Sequence, residues 1–490
     1  MTVAAPRRAL VAIDLGAQSC RASLLRWNGD EPRIEVVHRF SNEPLSTREG
    51  LCWDMDAIYD GILMGLRRCA ACARDGIASV GVDGWAVDYV RLDRDGIPVA
   101  HPFCYRDART ERAEREVHAL LPPTRLYSLT GIQILRLNTV YQLYADKLAG
   151  FDPRLPWANL PEYISYRLSG KRVSEYTNAT HTGLIALGTH AWCDEIFREL
   201  GLDMAAAPEI VPSGSVLGPV TADLADLPAF RDAKVVVPAC HDTASAIAGI
   251  PAVGDDWAFI SSGTWSLVGT VLDAPCVTQD AQSQNFTNLG GVGGKICFLK
   301  NVNGMWLLRQ CMDEWERQGI RFSFAELLSR CAELPVPDGL IDVDDPRLMV
   351  PGNTIDKINA QREALHEPKF TADRESAASL ANTVLHSMAA RYSEVLASIR
   401  KITGKRLKRL FIVGGGSQNS LLNRITAQRT GLEIILGSTE SATIGNFAVQ
   451  MAALEPGMSP AADVTANAVA KWAEQLSAGA LTLSHDRKTD

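Results

Sequence analysis

The amino-acid sequence predicts an α/β protein made of two domains of similar design. A chain of 490 residues exceeds what one hydrophobic core normally supports, so two large domains are expected. An apolar run, a polar turn and a second apolar run follow one another in residues 9–27 and again in residues 257–272. Each pair of runs is followed by apolar strands that alternate with helix-like segments, which indicates mixed α/β structure. We expect the boundary near residue 248, giving domains 1–248 and 249–490.

Composition places the chain among ordinary globular proteins. Apolar residues make up 46% and charged residues 22%, and the formal net charge is −8. This charge gives no overall attraction to nucleic acid or to an anionic membrane. The apolar run before Asp14 is too short for a signal peptide, and no stretch reaches 18 apolar residues. We expect a cytoplasmic protein with small-molecule partners, no nucleic acid and no membrane. The number of subunits stays open.

The eleven cysteines show no periodic framework and are expected to be reduced thiols. Cys69 and Cys72 form a CxxC pair, which elsewhere serves redox or metal chemistry. Here the pair lies in residues 59–76, where the apolar residues recur with the period of an amphipathic helix. We therefore interpret both thiols as buried and assign them no chemistry.

The first predicted hairpin carries the sequence DLGAQSCR at residues 14–21. Asp14 stands at the end of a strand, Gly16 lies in the turn, and Ser19 and Arg21 lie at the tip. Backbone amides of such a turn can bind phosphate oxygens, and glycine allows their close approach. The alternative is a tight hairpin in which Asp14 bonds its own turn amides.

Residues 81–90 and 130–139 combine an aromatic ring with polar side chains. The sequence GVDGWAVDYV supplies Asp83, Trp85 and Asp88, and TGIQILRLNT adds Gln133 and Asn138. Such a set suits a polyhydroxylated ligand, because an aromatic face stacks on the sugar while polar groups pair with hydroxyls. The alternative is a buried tryptophan with polar neighbours that stabilise loops.

Asp242 has two possible roles in the segment CHDTASAIAGI at residues 240–250. It is a good N-cap for the following helix of small residues. At a strand end inside a cleft, it could also accept a proton, and a helix N-terminus would keep it ionised near neutral pH. His241 is either structural or a hydrogen-bond partner for a sugar hydroxyl.

The second hairpin and a later glycine-rich loop are candidates for nucleotide binding. In SSGTWS, Thr264 could donate to a phosphate while Trp265 packs inward. In residues 412–428, three glycines precede a helix that opens at Ser417 or Asn419, so that a flat ligand or a phosphate could approach the backbone. Neither GxGxxG nor GxxxxGK[ST] is present, and a simple strand-to-helix turn remains an alternative.

Taken in order, these motifs resemble the FGGY carbohydrate kinases. The likeness rests on nine segments, which are DLGAQSCR, GVDGWAVDYV, YRDART, GIQILRLNTVYQL, YRLSGKRVSEYTNAT, HDTASA, SSGTWSL, NGMWLLRQ and VGGGSQN. It implies a two-domain actin-like (ribonuclease H-like) ATPase fold, with ATP and Mg²⁺ in a cleft between the domains. It also implies transfer of phosphate to the C1 hydroxyl of a ketose. L-Rhamnulose is the expected substrate, with L-fuculose or a pentulose as alternatives, and a non-catalytic nucleotide-dependent scaffold as a further one.

The resemblance also implies a role for individual residues. Asp242 corresponds to the catalytic base and Asp14 to the aspartate near the metal. The positions that correspond to nucleotide contacts are Ala17, Gln18, Ser19, Cys20, Arg21, Thr264, Arg309 and Gly415. Those that correspond to sugar contacts are Ala86, His241, Asp242, Thr243 and Asn301.

Four positions depart from the family pattern. Gln18 replaces a small residue and Cys20 replaces glycine, which predicts a bulkier first loop. Arg309 stands where a glutamine commonly contacts nucleotide, and Ala86 stands where glycine is expected near the sugar. An added methyl group can change substrate discrimination by about 1–3 kcal/mol, which is why other ketoses remain alternatives.

Overall fold

The computed structural model describes residues 7–221, 224–455, 457–459 and 463–483. Residues 1–6, which enter the expectation about a signal peptide, lie outside these ranges. Within them, no helix is both long enough and apolar enough to cross a membrane.

Strands and helices alternate along the chain. The strands are β1 (Ala9–Leu15), β2 (Ser19–Asn28), β3 (Glu31–Ser41), β4 (Leu45–Ser46), β5 (Leu51–Cys52), β6 (Ile77–Gly84), β7 (Tyr89–Arg91), β8 (Trp157–Asn159), β9 (Val173–Glu175), β10 (Glu209–Val211), β11 (Val216–Pro219), β12 (Lys234–Val236), β13 (Trp257–Ser262), β14 (Trp265–Leu272), β15 (Thr287–Gly290), β16 (Ile296–Asn303), β17 (Arg409–Val413) and β18 (Glu433–Leu436). The helices are α1 (Met55–Cys72), α2 (Thr110–Leu120), α3 (Pro123–Thr130), α4 (Thr139–Leu148), α5 (Leu160–Ser169), α6 (Tyr176–His181), α7 (Asp194–Leu200), α8 (Asp242–Ala248), α9 (Gln279–Ser283), α10 (Met305–Arg317), α11 (Phe324–Glu333), α12 (Thr354–Ala364), α13 (Arg374–Thr403), α14 (Ser420–Thr430), α15 (Ser441–Ala453) and α16 (Ala466–Leu483).

The chain forms two compact units, and each unit is made of more than one segment of the sequence. The first unit comprises Met1–Val253, Val271–Phe298 and Glu440–Asp490, and the second comprises Gly254–Thr270 and Leu299–Thr439. The expected division at residue 248 assumed that the chain passes from the first unit to the second only once. In the structure, two later segments belong to the first unit again. Residue 248 as the limit of a functional domain stays a prediction.

The main sheet of the first unit has the order β11-β12-β6-β1-β2-β3. The first hairpin is present, because β1 and β2 are antiparallel with Asp14 opposite Arg21. The strands β1, β6 and β12 are parallel, with Asp14 beside Asp83. Since parallel strands point their carboxyl ends to one edge, residues that follow β1, β6 and β12 come together there.

The first strand shows why this sheet lies in the core. All seven residues of β1 are buried, as expected for a strand covered on both faces. Its side chains alternate between two clusters: Val11 and Ile13 pack with α1 residues such as Ile62, while Leu10 packs with Phe447 of α15. The CxxC segment lies in α1 as predicted, and all eleven cysteines, each within the described ranges, are free. Cys69 is buried as expected, but Cys72 is only half-buried, so the prediction that both thiols are buried is wrong for Cys72.

The second sheet repeats the design of the first. Its order is β15-β16-β14-β13-β17-β18. The second hairpin is formed by the antiparallel strands β13 and β14, and β17 runs parallel beside β13 as β6 does beside β1. The repetition expected from residues 9–27 and 257–272 is thus confirmed.

Candidate active site

Three aspartates meet at the carboxyl edge of the first sheet. Asp14, the penultimate residue of β1, lies beside Asp83 of β6, and a bridge between Gly84 and His241 brings the residue before Asp242 to the same edge. The backbone amide of Gly84 donates to the carbonyl of Cys240 at 2.9 Å. The strand order therefore gathers side chains that are more than 200 residues apart in sequence.

Arg21 is held between two carboxylates. Its Nη2 donates to Asp14 Oδ2 at 2.5 Å, and its Nη1 lies 2.8 Å from Glu440 Oε2. These contacts arise because Arg21 faces Asp14 across the hairpin and Glu440, the N-cap residue of α15, lies beside it. The predicted phosphate contact is thus a largely buried cation whose charge is balanced by the protein.

The tip of the first hairpin requires glycine at position 16. A Cβ added to Gly16 would lie 2.5 Å from the carbonyl oxygen of Ser19. Asn42 braces the tip, because its Nδ2 donates to Gly16 O and its amide donates to Gln18 O, both at 3.0 Å. The buried hydroxyl of Ser19 has no hydrogen-bond partner among the residues that the structure describes, which leaves it able to bind a ligand.

The two departures in this tip have different consequences. Gln18 is exposed at the tip, as the prediction of a bulkier loop requires. Cys20 is fully buried in the core, and burial, together with the charge of Asp14, raises the pKa of its thiol to about 12. The expectation that Cys20 adds bulk at the tip is therefore wrong, because its side chain lies in the core.

Asp83 is fully buried and anchored by helix α15. Asn446 Nδ2 donates to Asp83 Oδ2 at 2.5 Å, and Gln450 Nε2 donates to Asn446 Oδ1 at 2.6 Å and to Val11 O at 3.0 Å. The other oxygen, Oδ1, has no partner in the described part of the chain. Burial, and then the charge of Asp14, raises the pKa of Asp83 well above its ordinary value.

Asp242 is the first residue of α8 and does not cap it. The N-cap is His241, and no side chain caps this helix. The carboxylate of Asp242 instead accepts from Thr243 Oγ1 at 3.1 Å and lies 3.3 Å from His241 Nε2. The capping interpretation is wrong. The side chain keeps 39% of its surface exposed and can meet a ligand.

The protonation of Asp242 also differs from the expectation. Burial of the surrounding site, and then the negative charge of Asp14, raises its pKa to about 7. The group is thus only partly ionised at neutral pH, because these two effects exceed the stabilisation expected from the helix N-terminus. A base with a pKa near the working pH is well matched to proton transfer.

Two histidine rings pack beside Asp242. The rings of His181 and His241 lie 4.0 Å apart at 61°. Burial lowers the pKa of His181 to about 3, and burial and then His181 lower that of His241 well below its ordinary value. Both rings are therefore neutral. His241 Nε2 lies close to Asp242 Oδ1, and the buried Nδ1 of the same ring has no hydrogen-bond partner within the described ranges.

The segment after β6 is held in a strained conformation. Val87 has a φ of 73°, which a β-branched residue rarely adopts. Its carbonyl accepts from Thr139 Oγ1 at 2.7 Å and from Gln142 Nε2 at 3.3 Å, so α4 holds the strained peptide in place. The neighbouring Ala86 is buried, and its backbone position is fixed. No residue type around Val87 signals this strain, so the position could not be found from the sequence.

Asp88 serves the structure rather than a ligand. It is fully buried and accepts from Trp53 Nε1 at 2.6 Å, Trp85 Nε1 at 3.0 Å, Gln142 Nε2 at 3.0 Å and the amide of Tyr105 at 3.2 Å. Burial raises the pKa of Asp88 to about 6. The alternative of a buried tryptophan with polar neighbours is the one observed.

The polar residues predicted near α4 are also buried. Asn138 Oδ1 accepts from the amide of Leu135 at 3.0 Å, and its Nδ2 donates to the carbonyl of His181 at 3.1 Å. Gln133 is buried. Asn138 therefore stabilises the loop before α4.

In the second unit, the hairpin tip packs against the first turn of α10. The amides of Met305 and Trp306 donate to the carbonyls of Gly263 and Thr264, both at 3.2 Å. Thr264 is exposed, as a phosphate contact requires. Trp265 is 41% exposed, so the prediction that it packs inward is wrong.

The remaining predicted nucleotide contacts lie near this tip. Arg309, on the second turn of α10, is 72% exposed and pairs with Asp313 at 2.9 Å. Gly414 has a φ of 81°, and an added Cβ would lie 2.8 Å from the carbonyl oxygen of Ser262. Gly415 is exposed and has open space beside it. A flat ligand can approach the backbone there.

Helix α14 begins as the sequence indicates. Asn419 is its N-cap, and its side chain accepts from the amide of Leu422 at 3.0 Å. Asn419 Nδ2 also lies 3.9 Å from Met305 Sδ, which links the glycine loop to the start of α10. Asn301 is half-buried in β16, two residues before that strand ends.

The predicted site residues thus form two sets. The set in the first unit comprises Asp14, Ala17, Gln18, Ser19, Cys20, Arg21, Ala86, His241, Asp242 and Thr243. The set in the second unit comprises Thr264, Asn301, Arg309 and Gly415.

Comparison with known proteins identifies the family. The N-terminal domain of the FGGY family of carbohydrate kinases matches residues 9–249, and the C-terminal domain of the same family matches residues 258–454. This chain belongs to the FGGY family of carbohydrate kinases. It is an ATP-dependent sugar kinase, as the sequence motifs predicted.

Curated relatives of this FGGY kinase include several rhamnulokinases. The rhamnulokinase of Oceanobacillus iheyensis is 35% identical over 448 residues, which cover 91% of this chain and 93% of that protein. The rhamnulokinase of Enterococcus faecalis is 36% identical over 454 residues, covering 91% and 90% of the two chains.

Solved structures support the predicted actin-like ATPase fold. Gluconate kinase from Lactobacillus acidophilus has a TM-score of 0.75 at 15% identity, covering 97% of this chain and 98% of that one. Plasmodium falciparum glycerol kinase with ADP has a TM-score of 0.72 at 14% identity, covering 98% of each. At such identities the likeness concerns the fold alone.

Proposed function

We propose that this FGGY kinase transfers the γ-phosphoryl group of ATP to the C1 hydroxyl of L-rhamnulose, yielding L-rhamnulose 1-phosphate. The proposal rests above all on the partly exposed carboxylate of Asp242 at the edge of the first sheet, with a pKa of about 7. Four curated rhamnulokinases, 34–36% identical over 90–91% of this chain, support the choice of sugar.

Asp242 is the general base in this proposal. The C1 oxygen forms a bond to the γ-phosphorus, the bond from that phosphorus to the β–γ bridging oxygen breaks, and ADP leaves with the bond electrons. The C1 proton passes to the ionised carboxylate of Asp242. Since phosphoryl transfer asks for little covalent chemistry, the protein contributes mainly by positioning the reacting groups and neutralising charge.

His241, Thr243 and Ala86 provide sugar contacts. The free Nδ1 of the neutral His241 ring accepts a hydrogen bond from a sugar hydroxyl. Thr243, which already donates to Asp242, offers its hydroxyl oxygen as an acceptor. The strained peptide at Val87 fixes the backbone beside Ala86. The methyl group of Ala86 is therefore held in place and would exclude a ketose whose shape does not fit it. In the second unit we assign Asn301 to the sugar as well.

Backbone-rich turns hold the nucleotide. We assign the tip at residues 17–21 to phosphate through its amides and the unpaired hydroxyl of Ser19. In the second unit, Thr264 binds phosphate, while Gly415 and the exposed Arg309 contact the nucleoside.

Mg²⁺ fits the edge at Asp14 as a metal shared with ATP. Among the residues with described structure, no group of three or more His, Cys, Asp or Glu side chains could hold a metal by themselves. Asp14 and Asp83, the latter with one unpaired oxygen, would supply the hard oxygen donors that Mg²⁺ prefers, and phosphate and water would supply the remaining ones. Bound there, the ion would neutralise charge on the phosphates.

A panel of ketoses with MgATP tests the choice of substrate. ADP release is measured with L-rhamnulose, L-fuculose, a D-pentulose, glycerol and no sugar. We expect the highest kcat/KM with L-rhamnulose. A higher value with L-fuculose or a pentulose would replace the substrate while leaving the kinase assignment intact. Ala86→Gly sharpens the test, because a specificity role for the methyl group predicts that the ratio between ketoses changes by about 5- to 150-fold.

A further inference from the structure

Two buried glutamates lie behind the turn that carries Asp242. Glu162 and Glu175 are both fully buried, and they interact directly, because the backbone amide of Glu175 donates to Glu162 Oε1 at 3.1 Å. Buried carboxylates are costly unless several donors satisfy them. Neither group takes part in the catalytic step proposed above, and Glu175 also caps α6, because its side chain accepts from the amide of Asn178.

Glu175 is tied directly to the residues before Asp242. Its Oε2 accepts from the amide of Cys240 at 2.9 Å and from Thr177 Oγ1 at 2.5 Å. The hydroxyl oxygen of Thr177 in turn accepts from the amide of His241 at 3.4 Å. One carboxylate oxygen therefore holds the two consecutive amides that precede Asp242, one directly and one through a hydroxyl.

The rest of the network fixes the glutamate itself. Ser213 Oγ donates to Glu175 Oε1 at 2.6 Å, and Asn178 Nδ2 donates to Glu162 Oε2 at 2.8 Å. Burial, and then the charge of Glu175, raises the pKa of Glu162 to about 8. Burial also raises the pKa of Glu175 from its ordinary value, although the carboxylate of Glu175 receives more donors than that of Glu162.

The turn needs such an acceptor because regular structure ends before it. Strand β12 ends at Val236, and α8 begins at Asp242. The carbonyl of Cys240 is bound by Gly84, but the amides of Cys240 and His241 point away from that contact, towards Glu175 and Thr177. Buried amides require partners, and a carboxylate binds amides more strongly than a neutral oxygen does.

We propose that Glu175, acting through Cys240, Thr177 and His241, is a positioning residue that sets the location of the Asp242 carboxylate. The inference rests on the proposed role of Asp242 as base. Glu175 does not touch the sugar or ATP in this scheme. Its loss acts on the chemical step, because a base displaced by about 1 Å can cost up to about 100-fold in rate.

The pair Thr177→Val and Thr177→Ser tests the network with little change in shape. Valine removes the hydroxyl that links Glu175 to His241, whereas serine keeps it. We expect Thr177→Val to lower kcat by about 10-fold or more and to shift the acid limb of its pH profile, with KM for ATP unchanged. Thr177→Ser should retain nearly all of kcat and the original pH profile.

Glu175→Gln replaces the carboxylate at the centre of the network with an amide, so that one of its two acceptor oxygens is lost. We expect a larger fall in kcat than for Thr177→Val, again with KM for ATP unchanged. Glu209→Gln is the matched control, because Glu209 is exposed on the adjacent strand β10 and should leave kcat unchanged. Thermal unfolding of each variant shows whether it folds. If Glu175→Gln does not fold, the Thr177 pair decides.

Two outcomes would overturn the proposal. One is a Thr177→Val enzyme with wild-type kcat and pH profile. The other is an equal loss in Thr177→Val and Thr177→Ser, which would point to packing rather than the hydrogen bond. Asp242→Asn, measured alongside, separates the two hypotheses: if it keeps its activity, the base assignment fails, whereas if it is inactive while Thr177→Val is normal, only the positioning role fails.

Discussion

The two hairpins share one backbone design but differ in their chemistry. The first pairs Asp14 with Arg21 in a largely buried ion pair at the carboxyl edge of its sheet. The second carries no charged residue in SSGTWS and presents an exposed Thr264 and Trp265. Burial strengthens the electrostatic interactions between the charged groups of the first site and raises the pKa of Asp242. The second site is open and offers backbone and hydroxyl groups instead. A repeated fold thus presents two chemically different surfaces.

The largest effect expected is the loss of catalysis in Asp242→Asn. Removal of a general base typically costs about 100- to 10,000-fold in kcat, while ATP binding at the neutral second site should persist. Steady-state ADP release and a direct ATP-binding titration measure the two properties. Asp255→Asn is the control, because Asp255 is exposed in the second unit. Near-normal kcat in Asp242→Asn would refute the base assignment.

The pH dependence of kcat should follow the charged first site. Because the folded protein raises the pKa of Asp242 to about 7, the base is ionised above pH 7 and becomes protonated as the pH falls. We expect kcat to fall roughly tenfold per pH unit below 7. A profile flat down to pH 5 would contradict the assignment.

The raised pKa of Asp242 also predicts how the stability of the protein changes with pH. A group that binds its proton more tightly when folded stabilises the protein at acid pH, and this stabilisation is lost as the pH rises from about 4 to about 7. Asp242→Asn removes the ionisable group, so this loss of stability with rising pH does not occur in the variant. Its melting temperature relative to wild type should therefore be higher at pH 8 than at pH 5, and a constant difference would contradict the raised pKa.

The variants Arg21→Gln and Arg309→Gln compare how much one arginine at each site contributes to the free energy of unfolding. Removing Arg21 leaves Asp14 and Glu440 without their shared cation, and we expect the free energy of unfolding to fall by about 2 kcal/mol, less than for a fully buried pair. Removing Arg309 breaks an exposed pair within one helix and should change it by less than about 0.5 kcal/mol. Urea unfolding measures both. Equal losses would contradict the contrast between the sites.

A further comparison, within the second unit, concerns the glycine loop. Gly414→Ala forces a side chain into a positive φ and against Ser262, so we expect a loss of about 1–2 kcal/mol in the free energy of unfolding. Gly415→Ala meets open space and should leave stability unchanged while raising KM for ATP, if the nucleoside approaches that backbone. An unchanged KM for ATP would place the nucleoside elsewhere.

Local signals were sufficient for much of the fold. The two hairpins, the helix at Cys69 and Cys72, and the helix start at Asn419 follow from apolar periodicity, glycine turns and capping chemistry within a few residues. The expectations that failed concern the surroundings of a side chain: Trp265 is exposed, and Cys20 faces the core. Both depend on which segments pack nearby.

Glu162 and Glu175 show why some contacts near Asp242 could not be predicted from the sequence. Glu175 lies in the segment YRLSGKRVSEYTNAT, which supported the family resemblance but showed no local reason for a buried carboxylate. Its contact with Cys240 joins residues 65 positions apart. No spacing rule in the sequence indicates that contact.

The sequence by itself determined the paired hairpins, the glycine turns, the positions of Asp14 and Asp83 near strand ends and the helix that starts at Asp242, because these depend on neighbouring residues. Only the tertiary structure decided the charge state of Asp242 and the partners of Arg21 and Asp83. Glu440 and Asn446 reach them from more than 350 residues away. Burial and the distances between charges set pKa values, and both arise only when distant segments pack together.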